Sequence, residues 1–238
     1  MQFAIDIGNT LSKVATFEGV ELKKREEFNS VEELIASLPS NFSAFSSIIS
    51  SVKQIQLHPI FAHSLHLNHQ TSLPFINHYQ TPETLGMDRV AAIAGAWELF
   101  PKQNVFVIDI GTCITYDILN QHGGYNGGMI SPGLEMRLKA MHEFTSSLPL
   151  VSKNDDAEII GKTTKTCLQA GAKFGVEAEI DGLIDRFKED YPDLKTIICG
   201  GGGKLFERRK QSSIFVLPNL VLLGLNCILL YNESKKKS

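Results

Sequence analysis

The chain has 238 residues, 43% hydrophobic and 21% charged, with a formal net charge of −3 and a mean hydropathy of −0.02, which is long enough for two modest lobes. The basic clusters Lys23-Lys24-Arg25, Arg208-Arg209-Lys210 and Lys235-Lys236-Lys237 are scattered and lack interleaved aromatics, which argues against a nucleic-acid partner and for solvated surface, the last cluster in a disordered polar tail. The most apolar segment, residues 220–230, is too short to cross a bilayer and carries Asn226, so it reads as a buried helix and no membrane partner is expected.

Taken in order, the apolar run Phe3-Ala4-Ile5 reads as a buried strand, yet it ends in Asp6-Ile7-Gly8-Asn9-Thr10. No charged leader with an apolar core precedes it, so the expectation is a cytoplasmic protein. Residues 13–17 and 20–28 continue as a meander turning at Gly19. Ser30 caps a helix whose apolar face is Val31, Leu34, Ile35 and Leu38; Glu33 completes a capping box and Pro39 ends the run. A short β run over 47–52 and a helix over about 54–64 follow, giving the order β-β-β-α-β-α. His63, His66 and His69 recur every third residue, but that spacing drifts round a helix and no Asp, Glu or Cys stands among them, so they read as surface residues rather than a metal site.

Residues 67–87 are loop-rich, with Pro74, Pro82 and Gly86, and Tyr79 reads there as an amphipathic loop residue. Helix resumes at Asp88, with Val90, Ile93, Ala94 and Trp97 on one face and Pro101 as the stop. By residue type Asp88 is an ordinary N-cap.

The second half repeats the order of the first. Val105-Phe106-Val107-Ile108 is again a doubly buried strand ending in Asp109-Ile110-Gly111. Gly111 lets the backbone approach a ligand and present successive N–H groups, while Thr112 and Thr115 add hydroxyls, so the turn can hold a phosphate. One Asp-x-Gly alone is a plain hairpin turn; two copies this far apart mark halves of a duplicated fold rather than a solenoid. Strands over 115–119 and 124–130 complete a second meander, and Ser131-Pro132 opens a helix with Pro at its first position. Gly161-Lys162-Thr163-Thr164 precedes the longest helical pattern, with Cys167, Ala170, Gly171, Phe174, Ala178, Leu183 and Phe187 on or near one side. Gly171 and Gly175 would admit a neighbouring helix, by default one of this chain's own core. A strand over 196–199 runs into Gly200-Gly201-Gly202-Gly203, and a strand over 214–217 and a final helix close the chain. Cys113, Cys167, Cys199 and Cys227 show no paired spacing, which leaves reduced thiols as the default.

The order of these motifs, with Gly86-Met87-Asp88-Arg89 and Gly127-Gly128-Met129-Ile130-Ser131-Pro132-Gly133 between the turns, resembles the acetate and sugar kinase, heat-shock chaperone and actin superfamily and, within it, the type III pantothenate kinases. The resemblance covers nearly the full length. It implies an α/β fold of duplicated actin-like (ribonuclease H-like) domains, each a mixed sheet flanked by helices, divided at about 1–103 and 104–238. It implies ATP-dependent phosphorylation of pantothenate to 4′-phosphopantothenate, with ATP phosphates on Asp6, Ile7, Gly8, Asn9, Thr10, Leu11, Ser12 and Lys13 and on Gly111 and Thr112, and adenosine against Gly200 and Gly201. By the same resemblance Asp6 positions hydrated Mg²⁺, Asp109 binds a monovalent cation, K⁺ or NH₄⁺, and Asp88 is the general base. Pantothenate then lies against Tyr79, Gly86, Met87, Asp88, Arg89 and Thr164, with Thr164 reaching across a homodimer interface made by the long helix. Departures from the pattern are mild: Cys113 stands where a small residue such as Ala is usual, Val90 where Trp is common, and Thr163 where Asn is frequent. Two other readings use the same loops: a kinase of a sugar or short acid, and a nucleotide-binding regulator without turnover.

Overall fold

A computed structural model describes residues 1–8, 10–51, 58–203 and 213–236, and it uses one strand order twice. Strands β1 (Gln2–Ile7), β2 (Ser12–Glu18) and β3 (Glu21–Phe28) form an antiparallel meander. Strand β4 (Ser46–Ser51) then pairs in parallel with β1, and β5 (Leu65–His66) with β4, giving the order β3-β2-β1-β4-β5. After the short β6 (Ile76–Asn77), strands β7 (Val105–Ile110), β8 (Cys113–Leu119), β9 (Gly124–Pro132), β10 (Lys195–Cys199) and β11 (Ile214–Val216) repeat it as β9-β8-β7-β10-β11. Strand β6 adds in parallel to Gly124 and Tyr125 at the start of β9. Both sheets are mixed and flanked by helices, the duplicated arrangement expected of an actin-like fold.

By packing, Met1–Lys102, Leu119–Gly127 and Asn219–Ser238 form one unit, and Gln103–Ile118 and Gly128–Pro218 the other. In the first unit, alternation sends Phe3, Ile5 and Ile7 of β1, Val14 of β2 and Ile49 of β4 to one face. There they meet Leu34 of helix α1 (Val31–Ser37) and the aromatics Phe42 and Phe61. Each such side chain taken fully from water contributes roughly 1.5–3 kcal/mol. Ser30 caps α1 as expected, accepting from Glu33 N at 3.1 Å, while the Glu33 carboxylate reaches back to Asn29 N at 3.2 Å. Against the other face lies helix α5 (Leu220–Lys236), which packs on helix α2 (Met87–Leu99). Their approach depends on Gly224 and Gly95: a Cβ on Gly224 would fall inside the Ala91 carbonyl, and one on Gly95 would sit 2.6 Å from the Leu220 carbonyl oxygen. The edge strand β3 is charged, and its basic residues are paired: Lys24 with Glu26 at 2.8 Å, Lys23 with Glu21 at 2.8 Å, and Arg25 with Glu27.

In the second unit, helix α3 (Leu134–Glu143) and the long helix α4 (Thr164–Asp190) cover the sheet. Phe106, Ile108 and Ile110 of β7, Ile114 and Tyr116 of β8 and Ile198 of β10 pack on Val176, Ile180 and Ile184 of α4.

Four local expectations are corrected. Helix α3 does not open at Pro132: Ser131 and Pro132 finish β9, and Gly133 is the N-cap. Of the residues expected on one side of α4, Ala170 is buried and Leu183 and Phe187 pack on the core, whereas Cys167, Gly171 and Ala178 are exposed; the main buried stripe is Leu168, Ala172, Val176, Ile180 and Ile184, every fourth residue. Of the helix expected over 54–64, residues 54–57 lie outside the described ones, and the remainder holds a single 3₁₀ turn, Pro59–Phe61. The basic tail is helical through Lys236, with Lys235 Nζ 4.9 Å from the Tyr231 ring centroid, because cations at a helix C-terminus oppose its dipole favourably. The Arg208 cluster lies outside the described residues.

Candidate active site

In the first unit the Asp-Ile-Gly motif forms the turn between β1 and β2. Gly8 N donates to Leu11 O at 3.1 Å, and a Cβ on Gly8 would lie 3.0 Å from that same oxygen, so the turn is tight where glycine stands. Strand register sets Asp6 opposite Lys13 and abreast of Ser50 on β4, which puts a carboxylate, an ammonium and a hydroxyl on one face at the sheet end. Asp6 is 8% exposed; Ser50 is wholly buried and its Oγ has no hydrogen-bond partner among the described residues. Ser12 is buried, Leu11 half-buried and Thr10 exposed. The Ile7 side chain belongs to the core, so backbone is what it can offer a ligand. Asn9 lies outside the described residues.

The other cluster of this unit gathers at the start of α2. Gly86 is the N-cap, so Met87, Asp88 and Arg89 are the first three helical residues. Asp88 is therefore not the cap; its Oδ1 accepts from Arg89 N at 2.8 Å, which fixes the carboxylate on the first turn. Arg89 is buried, with its guanidinium carbon 5.7 Å from the Tyr79 ring centroid. Tyr79 stacks on Tyr125 with centroids 6.3 Å apart and planes 6° apart, and its ring lies 3.2 Å from where a Cβ of Gly127 would stand, at φ +98°. Tyr79, Asp88 and Arg89, within eleven residues of one another, are thus brought together, and Tyr125, 46 residues beyond Tyr79, joins them without having been singled out by any motif.

In the second unit the corresponding turn is shorter. Gly111 and Thr112 alone separate β7 from β8, both are exposed, and Gly111 N donates to Cys113 O at 3.0 Å. Gly133 backs this turn: its N donates to Thr112 O at 3.1 Å, and a Cβ there would come within 2.5 Å of both the Gly111 and the Thr112 carbonyl oxygens. Asp109 stands beside Cys199 in register, and the glycine turn after β10 folds onto it. Gly202 N donates to Ile110 O at 2.9 Å, and Gly200, at φ +80°, leaves no room for a Cβ against Asp109 Oδ1 and Ile110 O. Gly201 is exposed with open space beside its Cα. Thr164 opens α4 on an exposed turn held by Thr163, whose side chain caps Thr166 N in a reciprocal box; among the described residues no hydrogen bond joins Thr164 to Gly111 or Thr112.

A further cluster in this unit centres on Glu179, and of its members only Ser131 falls in a motif. The Glu179 carboxylate accepts from Tyr116 Oη at 2.5 Å, from Ser131 Oγ at 2.5 Å and from Arg137 Nη2. Burial alone would raise its pKa, but the donors Ser131, Tyr116 and Arg137 and the Arg137 charge outweigh it and hold the carboxyl below its ordinary value. The Tyr116 phenol is pushed well above its ordinary value, by burial first and then by Glu179.

Both turns and the start of α2 fall inside residues 2–186, which match the family profile of type III pantothenate kinases. The chain belongs to the type III pantothenate kinase family. A type III pantothenate kinase of Bacteroides fragilis strain YCH46 is 42% identical over 242 residues, covering 99% of this chain and 100% of its own. One of Christiangramia forsetii is 39% identical, with 99% and 100% covered, and one of Cytophaga hutchinsonii 36%, with 98% and 100% covered. Among solved structures, a Campylobacter jejuni protein named for the Baf family of transcriptional activators superposes with a TM-score of 0.66 at 20% identity, covering 98% of this chain and 99% of its own. The activator of 2-hydroxyisocaproyl-CoA dehydratase from Clostridium difficile, with bound ADPNP, gives 0.55 at 14%, covering 100% and 97%. At these identities the structures speak to the fold, and they agree with the duplicated actin-like arrangement. No helix among the described residues of this type III pantothenate kinase family member is long and apolar enough to cross a membrane.

Proposed function

We propose that the protein transfers the γ-phosphoryl group of ATP to the primary hydroxyl of pantothenate, giving 4′-phosphopantothenate at the entry to coenzyme A synthesis, as a cytoplasmic homodimer. The observation that carries this reading is the assembly at the start of α2, where the Asp88 carboxylate is held by Arg89 N at 2.8 Å and the Arg89 guanidinium lies over Tyr79. The acceptor supplies a carboxylate and a hydroxyl. Arg89 provides a planar fork for the carboxylate, Tyr79, Gly86 and Met87 line the chain between, and Asp88 Oδ2 receives the hydroxyl proton as the new O–P bond forms.

Phosphoryl transfer asks the protein chiefly for alignment and charge neutralisation. In the first unit the N–H groups of Thr10 and Leu11 and the Lys13 ammonium serve that purpose, the Gly8 N–H being given to Leu11 O; in the second, Gly111 with the Thr112 hydroxyl does so, and Gly200 and Gly201 receive the adenosine. For Mg²⁺ the donor set fits: the buried Ser50 Oγ, without a partner among the described residues, stands abreast of the Asp6 carboxylate, and hard oxygen donors of this kind suit a hydrated Mg²⁺. When bound, the ion would neutralise phosphate charge. Asp109 Oδ1 and Ile110 O, together beside Gly200, offer the oxygen pair that a monovalent cation would use. A homodimer is supported by the exposed side of α4, where Gly171 and Gly182 have nothing within 4 Å of a Cβ position, leaving Thr164 free to serve the partner's substrate.

The test is ADP release with Mg²⁺-ATP and K⁺, with and without pantothenate, for wild type and Asp88→Asn. Expected are pantothenate-dependent release in the wild type and a loss of roughly 100-fold or more in the variant with ATP binding retained. Release that ignores pantothenate would reject the acceptor in favour of a sugar or short acid, and ATP binding without turnover would favour a regulator.

A further inference from the structure

Glu179, Tyr116 and Arg137 lie outside every motif used so far, while Ser131 belongs to the Gly127 to Gly133 motif, and together they lead by direct bonds to the second phosphate loop. Glu179 sits mid-way along α4, and its three donors come from three other elements: Tyr116 from β8, Ser131 from the end of β9 and Arg137 from α3. Arg137 binds twice more, from Nη2 to Ser131 Oγ at 3.1 Å and from Nε to Pro132 O at 2.8 Å. Ser131 and Pro132 are therefore gripped immediately before Gly133, whose N–H holds Thr112 O at 3.1 Å. There is no slack at that contact, because a Cβ on Gly133 would already collide with the carbonyl oxygens of both turn residues. A shift of the β9 end must then move Gly111 and Thr112. On the opposite side, Tyr116 continues the strand that leaves the turn, and its carbonyl fills the space where Gly128 would carry a Cβ.

We propose that Glu179 is a positioning residue for phosphoryl transfer: its carboxylate clamps Tyr116, Ser131 and Arg137 so that Gly133 sets the backbone of the Gly111–Thr112 turn for nucleotide phosphate. The proposal rests on the reading of that turn as a phosphate loop. A charged carboxylate suits the task, since its two oxygens have room for all three donors, and Arg137 contributes a charge-assisted bond. A glutamine has one acceptor oxygen and turns N–H donors toward Arg137, so Glu179→Gln keeps the shape and releases the clamp. Glu179 itself touches no substrate; its effect is transmitted as misplacement of the turn.

The experiment measures ATP dissociation constants by calorimetry, and kcat and both KM values, for wild type, Glu179→Gln, Ser131→Ala, the double variant and Glu189→Gln. The last removes a charge from the exposed Arg186–Glu189 pair on the same helix and serves as the control. Expected is an ATP affinity about tenfold or more weaker in Glu179→Gln, with the pantothenate KM and the control unchanged, since residues that orient binding groups commonly cost about 10–100-fold when removed. Ser131→Ala should move the same constant in the same direction, and the double variant should be no worse than Glu179→Gln, as for members of one network. A folded Glu179→Gln with wild-type ATP affinity, or with ATP and pantothenate constants equally impaired, overturns the proposal. If Glu179→Gln does not fold, Ser131→Ala against wild type decides by the same criterion. Wild-type protein that binds no ATP overturns the functional reading, and the clamp with it.

Discussion

Glu179 also ties stability to pH. Its carboxyl titrates below the ordinary value near 4.5 when folded, so the folded state gains stability above the unfolded value and loses it as pH falls through the lower folded one. Urea midpoints should therefore show wild type ahead of Glu179→Gln at neutral pH, with the gap closing below about pH 4.5; a gap that stays constant into acid would contradict the clamp's charge. Tyr116 acts at the other limb, because a raised phenol pKa means stability held below the ordinary value of 10 and lost as pH rises beyond it. A cysteine follows the same physics. Cys227 lies against Glu98, and burial first, then that carboxylate, pushes its thiol up to about 12. Thiolate is the nucleophile, so at mildly alkaline pH Cys227 should carry far less of it than an ordinary thiol. Alkylation followed by peptide mass spectrometry should find Cys227 modified far more slowly in the folded protein than in the urea-unfolded chain, and equal rates would sink the assignment.

Elements differed in how far their sequence betrayed them. Strands β1 and β7 were legible because both ends of the signal are local: an apolar run, then Asp-Ile-Gly. The start of α3 was not, since Pro at a first helical position and Pro at a strand end look alike until Gly133 is seen folded onto the Thr112 carbonyl. The buried side of α4 is legible only in part: Ala170, Leu183 and Phe187 face the core as their pattern suggests, but Cys167, Gly171 and Ala178 do not, and Leu168, Val176 and Ile180 fill the stripe that the sheet covers. In the site, Asp88 and Arg89 were visible as a motif, whereas Tyr125 and Glu179 draw their roles from partners distant in sequence. The α2–α5 crossing supplies an element-scale test. Gly224→Ala should destabilise by about 1–3 kcal/mol or more, because the methyl would enter the Ala91 carbonyl and the helices must part. At about 2–4 °C per kcal/mol for a chain of this size, calorimetry should register a clear fall in Tm, and an unchanged Tm would mean that the crossing yields freely.

At the scale of the whole molecule, duplication explains why two short motifs foretold so much: each Asp-Ile-Gly turn leaves the first strand of a sheet ordered 3-2-1-4-5, so finding the second copy placed five strands at once. Assembly is the property that one chain's pattern conveys least, because small residues on a helix suit a core and an interface equally. In the protomer one line of small residues on α4 is not core. On α4, Gly171, Gly175, Ala178 and Gly182 are exposed at alternating steps of four and three, the spacing of a helix-packing seam. Phe144 at 88% exposure and Ile159 and Ile160 at 72% add large apolar surface in the same unit, more than scattered surface residues require. Sedimentation equilibrium should therefore return twice the chain mass of 26.3 kDa. Gly171→Arg with Gly182→Arg should return the single mass while leaving the protomer's Tm and circular dichroism nearly intact, because nothing within the protomer lies within 4 Å of either Cβ position. Such a monomer should bind ATP as the wild type does but lose affinity for pantothenate, if Thr164 serves the partner's acceptor site. A variant that stays dimeric would move the interface away from α4, and a monomer with unchanged pantothenate KM would confine the acceptor site to one chain.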